Sequence, residues 1–226
     1  MSQAVRSKGG VELPSNRYRE ILEIAARIIC EKGYEGASMQ QIAHACGLTK
    51  AGLYHHIRSK QHLLVEIMHY GMDIFEEQVL SQVEPITDPL ERLRTAMAKN
   101  VLMVTRDRTK EITIILHEHA TLTGEELARI NTRKKRYVKF LERSFSEAIA
   151  TGQIRRVDPK VATFAFLGAV NWIYKWFQPD GHIPEAQLVR GMQDVFFGGL
   201  EPRSSAKPEG SYQRDRDDAT VTTEQP

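Results

Sequence analysis

The sequence predicts an all-α fold, and three observations support that prediction. Apolar residues recur at helical spacing, as in Ile21, Leu22, Ala25 and Ile28, over most of residues 15–200. Capping residues and Asp-Pro pairs divide this part of the chain into segments of helix length. No stretch of the sequence shows the sustained apolar–polar alternation that is typical of a half-buried strand.

Three helices are predicted in the first third of the chain. Gly33 suits the position that terminates a helix. Ser38 and Gln41 have the spacing of a capping box, and Thr49 can cap the helix that follows the turn at Gly47. The predicted spans are 18–33, 39–45 and 49–57.

Six further helices complete the prediction, giving about nine in all. Ser59 can cap the first of them, and Thr123 with Glu126 forms a second capping box. The pairs Asp88-Pro89 and Asp158-Pro159 are typical helix starts. The predicted spans are 60–80, 89–105, 108–119, 123–151, 159–177 and 184–197.

The composition changes at both ends of the chain. Residues 1–14 show no apolar periodicity, which predicts a flexible arm. Residues 201–226 contain too little apolar surface to offset the chain entropy of folding, which predicts a disordered tail. The helical part between them divides into a small unit, 15–62, and a larger unit, 63–200.

The composition also excludes several classes of protein. The chain of 226 residues is long enough for a sizeable core, and no apolar run reaches the roughly 18 residues of a membrane-spanning helix. The N-terminus lacks the apolar stretch of a signal peptide. Two cysteines are too few for a disulfide scaffold or a four-ligand zinc site. We therefore expect a cytoplasmic protein without membrane contact.

Residues 39–57 have the pattern of a helix–turn–helix. A short helix, a glycine-containing turn and a second short helix are the parts of this DNA-binding motif. Its apolar positions can form a small internal core of Ile42, Ala43, Leu48, Leu53 and Ile57. The other side of the third helix carries groups that suit phosphates and base edges, namely Lys50, Ala51, Tyr54, His55 and Arg58.

The distribution of charge favours DNA binding, although the whole chain is nearly neutral with a formal net charge of +2. Residues 15–62 contain seven lysines and arginines against four glutamates, and residues 36–62 contain no acidic residue. An acid-free segment over the proposed contact helix is what attraction to DNA requires. The alternative is an exposed basic face without a partner.

The segment SMQQIAHACGLTKAGLYHHIRSKQHLL, residues 38–64, resembles the DNA-binding segment of TetR-family transcriptional regulators. The matching features are Ile42-Ala43, the turn Gly47-Leu48-Thr49 and the run Leu53-Tyr54-His55-His56. This resemblance implies that the third helix lies in the major groove of a palindromic operator, with one subunit of a homodimer on each half-site.

The resemblance also implies roles for individual residues. Lys50, Ala51 and Tyr54 fall where family members meet bases, and Gln40 falls near them. The positions that hold phosphates or the turn are Ser38, Thr49, His55, His56 and Lys60. Gly52 departs from the family pattern of Thr or Ser, so the phosphate contact of that hydroxyl is in doubt. Structural alternatives are that Tyr54 supports the helix, His56 packs in the core and Lys60 merely begins a helix.

Residues 112–200 resemble the C-terminal domain of the TetR branch that contains regulators of fatty-acid, phenylacetate and sterol-ring degradation, several of which respond to acyl-coenzyme A thioesters. An acyl tunnel and coenzyme A phosphates would suit residues that this part of the chain offers. The candidate ligand-binding residues are Arg133, Phe164, Leu167, Trp172, Lys175 and Trp176. The alternative is that the aromatic residues form the core and that the basic run TRKKR is a solvated face.

The sequence gives no support for a metal site, a cofactor or an enzyme. His117 and His119 are two residues apart on a predicted helix and point in different directions, so they cannot share one ion. His62, Glu66 and His69 can share a face, but a structural role is favoured there. No nucleophile–base set, phosphate loop or paired-carboxylate spacing stands out.

These observations together predict a dimeric repressor that a small molecule, an acyl-coenzyme A thioester or a related catabolite, releases from its operator. By the same resemblance the dimer seam is expected at 159–177 and 184–197. One alternative is a regulator of efflux that senses a drug-like ligand. The others are an all-α enzyme or small-molecule carrier with a vestigial helix–turn–helix and a scaffold that binds only proteins.

Overall fold

The computed structural model describes residues 16–106, 109–117 and 122–200, and within these ranges every regular element is helical. The all-α prediction is therefore confirmed. The helices are α1 (Asn16–Gly36), α2 (Met39–Ala45), α3 (Lys50–Tyr54), α4 (Lys60–Phe75), α5 (Ser81–Val83), α6 (Pro89–Thr105), α7 (Thr109–His117), α8 (Gly124–Ala150), α9 (Pro159–Asn171), α10 (Ile173–Trp176) and α11 (Glu185–Gly198). The predicted arm, 1–14, and tail, 201–226, lie outside the described residues.

Two of the nine predicted helices are divided. The predicted helix 60–80 changes after Phe75 into a π-helical turn, Glu76–Leu80, which leads directly into α5. The predicted helix 159–177 is interrupted at Trp172, whose backbone N–H caps α9, and the chain resumes as α10. In both places the winding of the helix changes while the apolar residues keep their helical spacing. The spacing alone therefore does not reveal the break.

The predicted capping box at the start of α8 does not form. Thr123 occupies the N-cap position with extended backbone angles, but its side chain accepts no capping hydrogen bond. The Glu126 carboxylate instead lies 3.2 Å from Nε2 of His69 on α4 and 3.3 Å from the Arg129 guanidinium. These partners compete with the Thr123 backbone for Glu126, so the spacing alone was insufficient to predict the cap.

The small N-terminal unit is built on the apolar face of α1. Ile21, Leu22 and Ile29 are buried in the same core as Leu53 and Ile57 of the helix–turn–helix segment. α1 packs against α2 of its own unit and against α4 and α7 of the larger unit. The small unit is therefore attached to the larger one through α4 and α7.

The larger unit is organised around α6, which packs against α8, α9 and α11. Phe145 on α8, Phe166 on α9 and Phe196 on α11 form a cluster with ring centroids 5.7–6.3 Å apart. Phe197 is fully buried and lies against Phe196. Phe196 and Phe197 therefore help to close the core of their own subunit.

Candidate DNA-binding surface and ligand cavity

α2 and α3 form a helix–turn–helix. The turn between them depends on Gly47, whose φ of +65° lies in the left-handed region that favours glycine. The Leu48 N–H donates to the Ala43 carbonyl oxygen at 2.8 Å, which closes the end of α2. Ile42 and Leu53 are fully buried, one from each helix, so their burial fixes the angle at which α3 leaves the core.

The side chains predicted to contact DNA lie at the surface of this unit. Ser38, Gln40, Thr49, Lys50, Ala51, Tyr54, His55 and His56 are exposed, and Lys60 is half-buried. Tyr54 keeps 43% of its surface although it is a large aromatic residue. The exposure of His56 shows that it is not packed in the core. The structure thus places eight of these residues at the surface, on or next to α2 and α3, and places Lys60 at the start of α4.

Ser38 and Thr49 have a second task, because each hydroxyl caps a helix. Ser38 Oγ accepts from the Gln41 N–H at 3.2 Å, and Gln41 Oε1 accepts from the Ser38 N–H at 3.1 Å, so the predicted capping box is confirmed. Thr49 Oγ1 accepts from the Gly52 N–H at 2.9 Å. A hydroxyl that accepts a capping hydrogen bond still has its own hydrogen to donate. Each of the two residues can therefore cap its helix and donate to a phosphate at the same time.

Lys60 is held against the end of α1. Its Nζ donates to the Glu35 carbonyl oxygen at 3.3 Å and lies 4.4 Å from the centre of the Tyr34 ring. An ammonium group has three hydrogens, so these contacts leave donors that can reach a phosphate. Lys60 begins α4, as the structural alternative has it, and its phosphate contact stays a prediction.

Two carboxylates, those of Glu23 on α1 and Glu66 on α4, are held between these two helices by tyrosine hydroxyls. Tyr18 on α1 donates to Glu66 on α4 at 2.7 Å, and Tyr70 on α4 donates to Glu23 on α1 at 2.6 Å. Burial, together with the hydrogen bond to Glu66, raises the pKa of the Tyr18 hydroxyl well above its ordinary value. These two bonds join α1 to α4 and keep two carboxylates away from the proposed DNA surface.

A largely apolar cavity of about 200 Å³ lies in the larger unit and is lined by five helices. α4 contributes Met72 and Phe75, and α7 contributes Ile112 and Ile115 among others. The complete lining is Met72, Phe75, Asn100, Met103, Val104, Ile112, Ile115, Leu116, Lys134, Tyr137, Val138, Leu167 and Asn171. Apolar walls with a few polar groups are typical of a small-molecule site.

The polar groups of the cavity come mainly from α6 and α8. Asn100 Nδ2 donates to the Tyr137 hydroxyl oxygen at 2.6 Å and to the Ala96 carbonyl oxygen at 2.7 Å. Burial raises the pKa of Tyr137 far above its ordinary value, so this hydroxyl stays protonated and can donate. Lys134 Nζ donates to the Ile115 carbonyl oxygen at 2.7 Å, and burial lowers its pKa.

Of the six residues predicted to bind the ligand, the structure brings Leu167 alone to the cavity. Phe164, Trp172 and Trp176 are exposed, at 52%, 62% and 45% of their surface, and Lys175 is exposed with its amine over the Tyr174 ring. These four side chains lie on α9 and α10 and face outward from the single chain.

Arg133 lies between α8 and α4, where its guanidinium already binds two carboxylates. Its Nη2 donates to Asp73 at 2.6 Å, and its Nε donates to Glu76 at 2.8 Å. The guanidinium therefore ties α8 to α4 at the start of the π-helical turn. A coenzyme A phosphate would have to compete with both carboxylates for this group.

No cluster of three or more metal-ligating side chains occurs within residues 16–106, 109–117 and 122–200. His62 lies 3.6 Å from Glu66, whereas His69 pairs with Glu126 on α8, so the three residues considered on α4 divide between different partners. Glu118 and His119 of the other candidate group lie outside the described residues. The described helices also include none long and apolar enough to cross a membrane.

Large apolar side chains are exposed on α9, α10 and α11. Val195 keeps 83% of its surface and Val161 keeps 61%, and Phe164, Trp172 and Trp176 belong to the same set of helices. Exposed apolar side chains concentrated on neighbouring helices usually mark a protein–protein contact. Their position agrees with the predicted dimer seam at 159–177 and 184–197.

Comparison with protein families identifies the two units. Residues 21–67 match the model of bacterial regulatory proteins of the tetR family, and residues 87–200 match the tetracyclin repressor-like C-terminal domain. A helix–turn–helix followed by a helical domain with an internal cavity is also what the structure shows. The chain therefore belongs to the TetR family of bacterial transcriptional regulators.

Individual relatives cover most of the chain. It is 62% identical to AibR in the crystal structure with isovaleryl coenzyme A and operator DNA, which covers 80% of this chain and 97% of that one with a TM-score of 0.76. It is 23% identical to the transcriptional repressor KstR2 of Mycolicibacterium smegmatis over 83% of this chain and 92% of the relative. It is 21% identical to the fatty acid metabolism regulator of Bacillus subtilis over 81% of this chain and 95% of the relative.

Most of the cavity lining was not predicted as a ligand site. Met72, Phe75, Ile112 and Ile115 have the ordinary spacing of buried helix positions, so sequence offers no signal that separates them from the core. Asn100 is different, because it is a polar residue on the buried face of α6 and is 5% exposed. A buried amide of this kind in an apolar stripe is the signal that could have indicated the cavity.

Proposed function

We propose that the chain is a dimeric repressor that binds a palindromic operator through α3 and is released when an acyl-coenzyme A thioester occupies the cavity. The observation that carries this proposal is the connection between the two sites. α4 begins at Lys60, shortly after the helix–turn–helix, and contributes Met72 and Phe75 to the cavity wall. The same rigid element can therefore respond to a ligand and move the DNA-binding unit.

The DNA-binding role assigns the exposed residues to two kinds of contact. Lys50, Ala51, Tyr54 and Gln40 meet base edges, which give specificity. Phosphates are bound by Ser38, Thr49, His55, His56 and Lys60, which fix the orientation on the duplex. The absence of acidic residues between positions 36 and 62 supports this surface as the one that approaches DNA.

The effector is a thioester with a short acyl group. An apolar cavity of about 150 Å³ is known to hold benzene, and the cavity here has a volume of about 200 Å³. It has room for an acyl chain of about five or six carbons but not for a nucleotide. The isovaleryl coenzyme A in the AibR structure, a protein 62% identical to this chain, supports the same class of ligand.

The dimer forms through the outward faces of α9, α10 and α11. The exposed Phe164, Trp172, Trp176, Val161 and Val195 would then be covered by the partner subunit. Residues 15–62 bind DNA, and residues 63–200 bind the ligand and the partner. We place this regulator in the cytoplasm, where the operator is accessible to it, and assign it no catalytic step.

Release requires that the ligand prefer one arrangement of the helices. A thioester that bound the DNA-competent and DNA-incompetent forms equally well would shift nothing. α4 and α7 both line the cavity, and α7 also packs on α1 of the DNA-binding unit. A change at the cavity wall can therefore alter the spacing of the two recognition helices, which is about 34 Å for half-sites one DNA turn apart.

Selection of genomic DNA fragments by the purified protein tests the proposal. We expect a palindromic sequence to be enriched, and isovaleryl-coenzyme A to release the selected fragment at lower concentration than palmitoyl-coenzyme A does. Coenzyme A alone serves as the control for the nucleotide part. If no sequence preference appears, or if no acyl-coenzyme A releases the fragment, the proposal fails.

A further inference from the structure

The cavity contains a lysine whose hydrogen bonds are incomplete within the described part of the chain. The Lys134 ammonium group has three hydrogens, and its amine donates to the Ile115 carbonyl oxygen at 2.7 Å. Among the residues that the structure describes, Ile115 supplies its one acceptor, and no carboxylate pairs with it. Two hydrogens are thus available to an acceptor within the cavity, where the walls are otherwise mostly apolar.

The position of Lys134 within the cavity indicates which part of a ligand it meets. Lys134 is half-buried, whereas Tyr137, one helical turn further along α8, and Asn100 on α6 are buried at 6% and 5% exposure. The Lys134 side chain is therefore less buried than the Asn100–Tyr137 pair, although all three residues line the same cavity. A ligand that enters with its hydrocarbon end first would place its first oxygen near the amine.

We propose that Lys134 recognises the carbonyl oxygen of the acyl thioester. This inference rests on the proposed function and deepens it by naming the group that distinguishes a thioester from a plain hydrocarbon. The carbonyl oxygen is the junction between the buried acyl chain and the coenzyme A that stays outside the cavity. A hydrogen bond from a charged donor to that oxygen is worth more in an apolar cavity than in water.

The same amine connects the ligand to the DNA-binding unit. Lys134 binds the Ile115 carbonyl oxygen in the last turn of α7, and α7 packs on both α1 and α4. The ligand oxygen and the end of α7 thus share one donor group. Occupation of the cavity changes the surroundings of a group that already holds α7 in place.

Ligand binding by matched variants tests the assignment. The probes are isovaleryl-coenzyme A and its thioether analogue S-(3-methylbutyl)-coenzyme A, which lacks the carbonyl oxygen, and affinities are measured by calorimetry. We expect the wild-type protein to prefer the thioester by about tenfold, the size of one charge-assisted hydrogen bond. Lys134→Met should bind both probes equally, with the affinity for the thioether unchanged. Lys134→Arg, which keeps the donors, should retain a preference for the thioester.

Lys135→Met is the control, because Lys135 is an exposed lysine on the same helix and does not line the cavity. Thermal unfolding separates recognition from structural support. Lys134→Met removes the hydrogen bond to the Ile115 carbonyl oxygen and also the cost of burying a charge, the cost that lowers the pKa of Lys134, so we expect only a small change in the unfolding temperature.

Three results would overturn the assignment. One is a tenfold preference for the thioester that persists in Lys134→Met. Another is an equal loss of affinity for both probes in Lys134→Met, accompanied by a markedly lower unfolding temperature. The third is tighter binding of free isovalerate than of the thioester, lost in Lys134→Met, which would assign the amine to a carboxylate. If the wild-type protein bound neither coenzyme A probe, the proposed function itself would have failed.

Discussion

Lys50 is the residue whose replacement tells most about how DNA is recognised. It is the first residue of α3, it is exposed, and no acidic residue lies between positions 36 and 62. If its amine reaches a base edge, Lys50→Ala should weaken binding to the operator by about 1–3 kcal/mol and relax one base preference. Fluorescence anisotropy with the operator and with random DNA measures both effects.

The comparison of the two DNAs decides the role of Lys50. Lys139→Ala, which removes an exposed lysine from α8, is the matched control and should leave operator affinity unchanged. Equal losses on operator and random DNA after Lys50→Ala would assign Lys50 to a phosphate, with a smaller salt dependence and no change in sequence preference.

Leu167 is the predicted ligand residue that the structure places in the cavity wall. Leu167→Trp should fill much of the 200 Å³ cavity, because tryptophan adds a large ring where leucine leaves space. We expect a repressor that still binds its operator but no longer responds to isovaleryl-coenzyme A. Leu167→Met conserves the volume and should behave like the wild-type protein. Normal release from operator by Leu167→Trp would show that the ligand binds elsewhere.

At the scale of elements, the contact between α4 and α7 is close enough to test. A β-carbon on Gly71 of α4 would overlap the δ-methyl of Ile115 on α7, and it would lie 3.3 Å from Cβ of Glu111. Ile115 lines the cavity, so Gly71→Ala should push that side chain inward and weaken acyl-thioester binding by about 1 kcal/mol.

Calorimetry with isovaleryl-coenzyme A measures this loss. Gly168→Ala is the control for helix propensity, because a β-carbon there meets no atom of its own subunit within 4 Å, and sedimentation equilibrium checks that its dimer is intact. Both substitutions raise helix propensity by the same amount. The difference between the two variants in ligand affinity therefore isolates the effect of the α4–α7 contact. Unchanged ligand affinity in Gly71→Ala would mean that Ile115 moves away from the cavity or that α7 adjusts as a whole.

The attachment of α11 to the end of α6 should depend on pH. Glu185 accepts from the Arg106 guanidinium at 2.9 Å and from the Thr105 hydroxyl at 2.6 Å, and the bond to Arg106 is the main cause that lowers the pKa of Glu185. A carboxylate with a lowered folded-state pKa stabilises the fold above its ordinary pKa of 4.5, and that contribution is lost as the pH falls through the lowered value.

Glu185→Gln removes this contribution. The stability difference between wild type and variant, measured by urea unfolding, should be constant at neutral pH and should shrink as the pH falls below about 4.5. Glu142→Gln is the control, at a half-buried position on α8 that has no ion pair among those between described residues. A difference that grew on acidification would contradict the role of the ion pair.

For the whole molecule, the proposed dimer makes the strongest prediction. Val195 on α11 is 83% exposed in the single chain, and complete burial of one valine is worth about 1.5 kcal/mol or more. A two-fold symmetric interface contains each substitution twice. Val195→Glu should therefore raise the dimer dissociation constant by at least about 100-fold, and operator binding should weaken with it.

Sedimentation equilibrium measures the association. Lys139→Glu, an exposed charge change on α8 near Glu84 and Arg136, is the control and should leave a dimer intact. The chain carries a net charge of only +2, so tight binding to DNA should need two recognition helices rather than a general attraction. A Val195→Glu dimer as stable as the wild type would place the seam on another face.

The DNA-binding unit could be predicted from sequence because its determinants are local. The Ser38 capping box, the turn at Gly47 and the Thr49 cap each depend on residues within a few positions of one another, and the structure shows all three. The capping box at Thr123 was predicted by the same rule and did not form. There a residue distant in sequence, His69, takes part in binding the Glu126 side chain.

The sequence by itself thus determined the all-α class, the helix–turn–helix and the absence of acidic residues beside it, since periodicity, caps and charge are properties of short segments. Only the tertiary structure decided where the cavity lies, because five helices contribute to its wall. It also decided that Arg133 binds Asp73 and Glu76, and that Lys134, its neighbour in the same basic run, turns to the cavity. Adjacent residues on a helix point about 100° apart, so their surroundings depend on which other helices pack there.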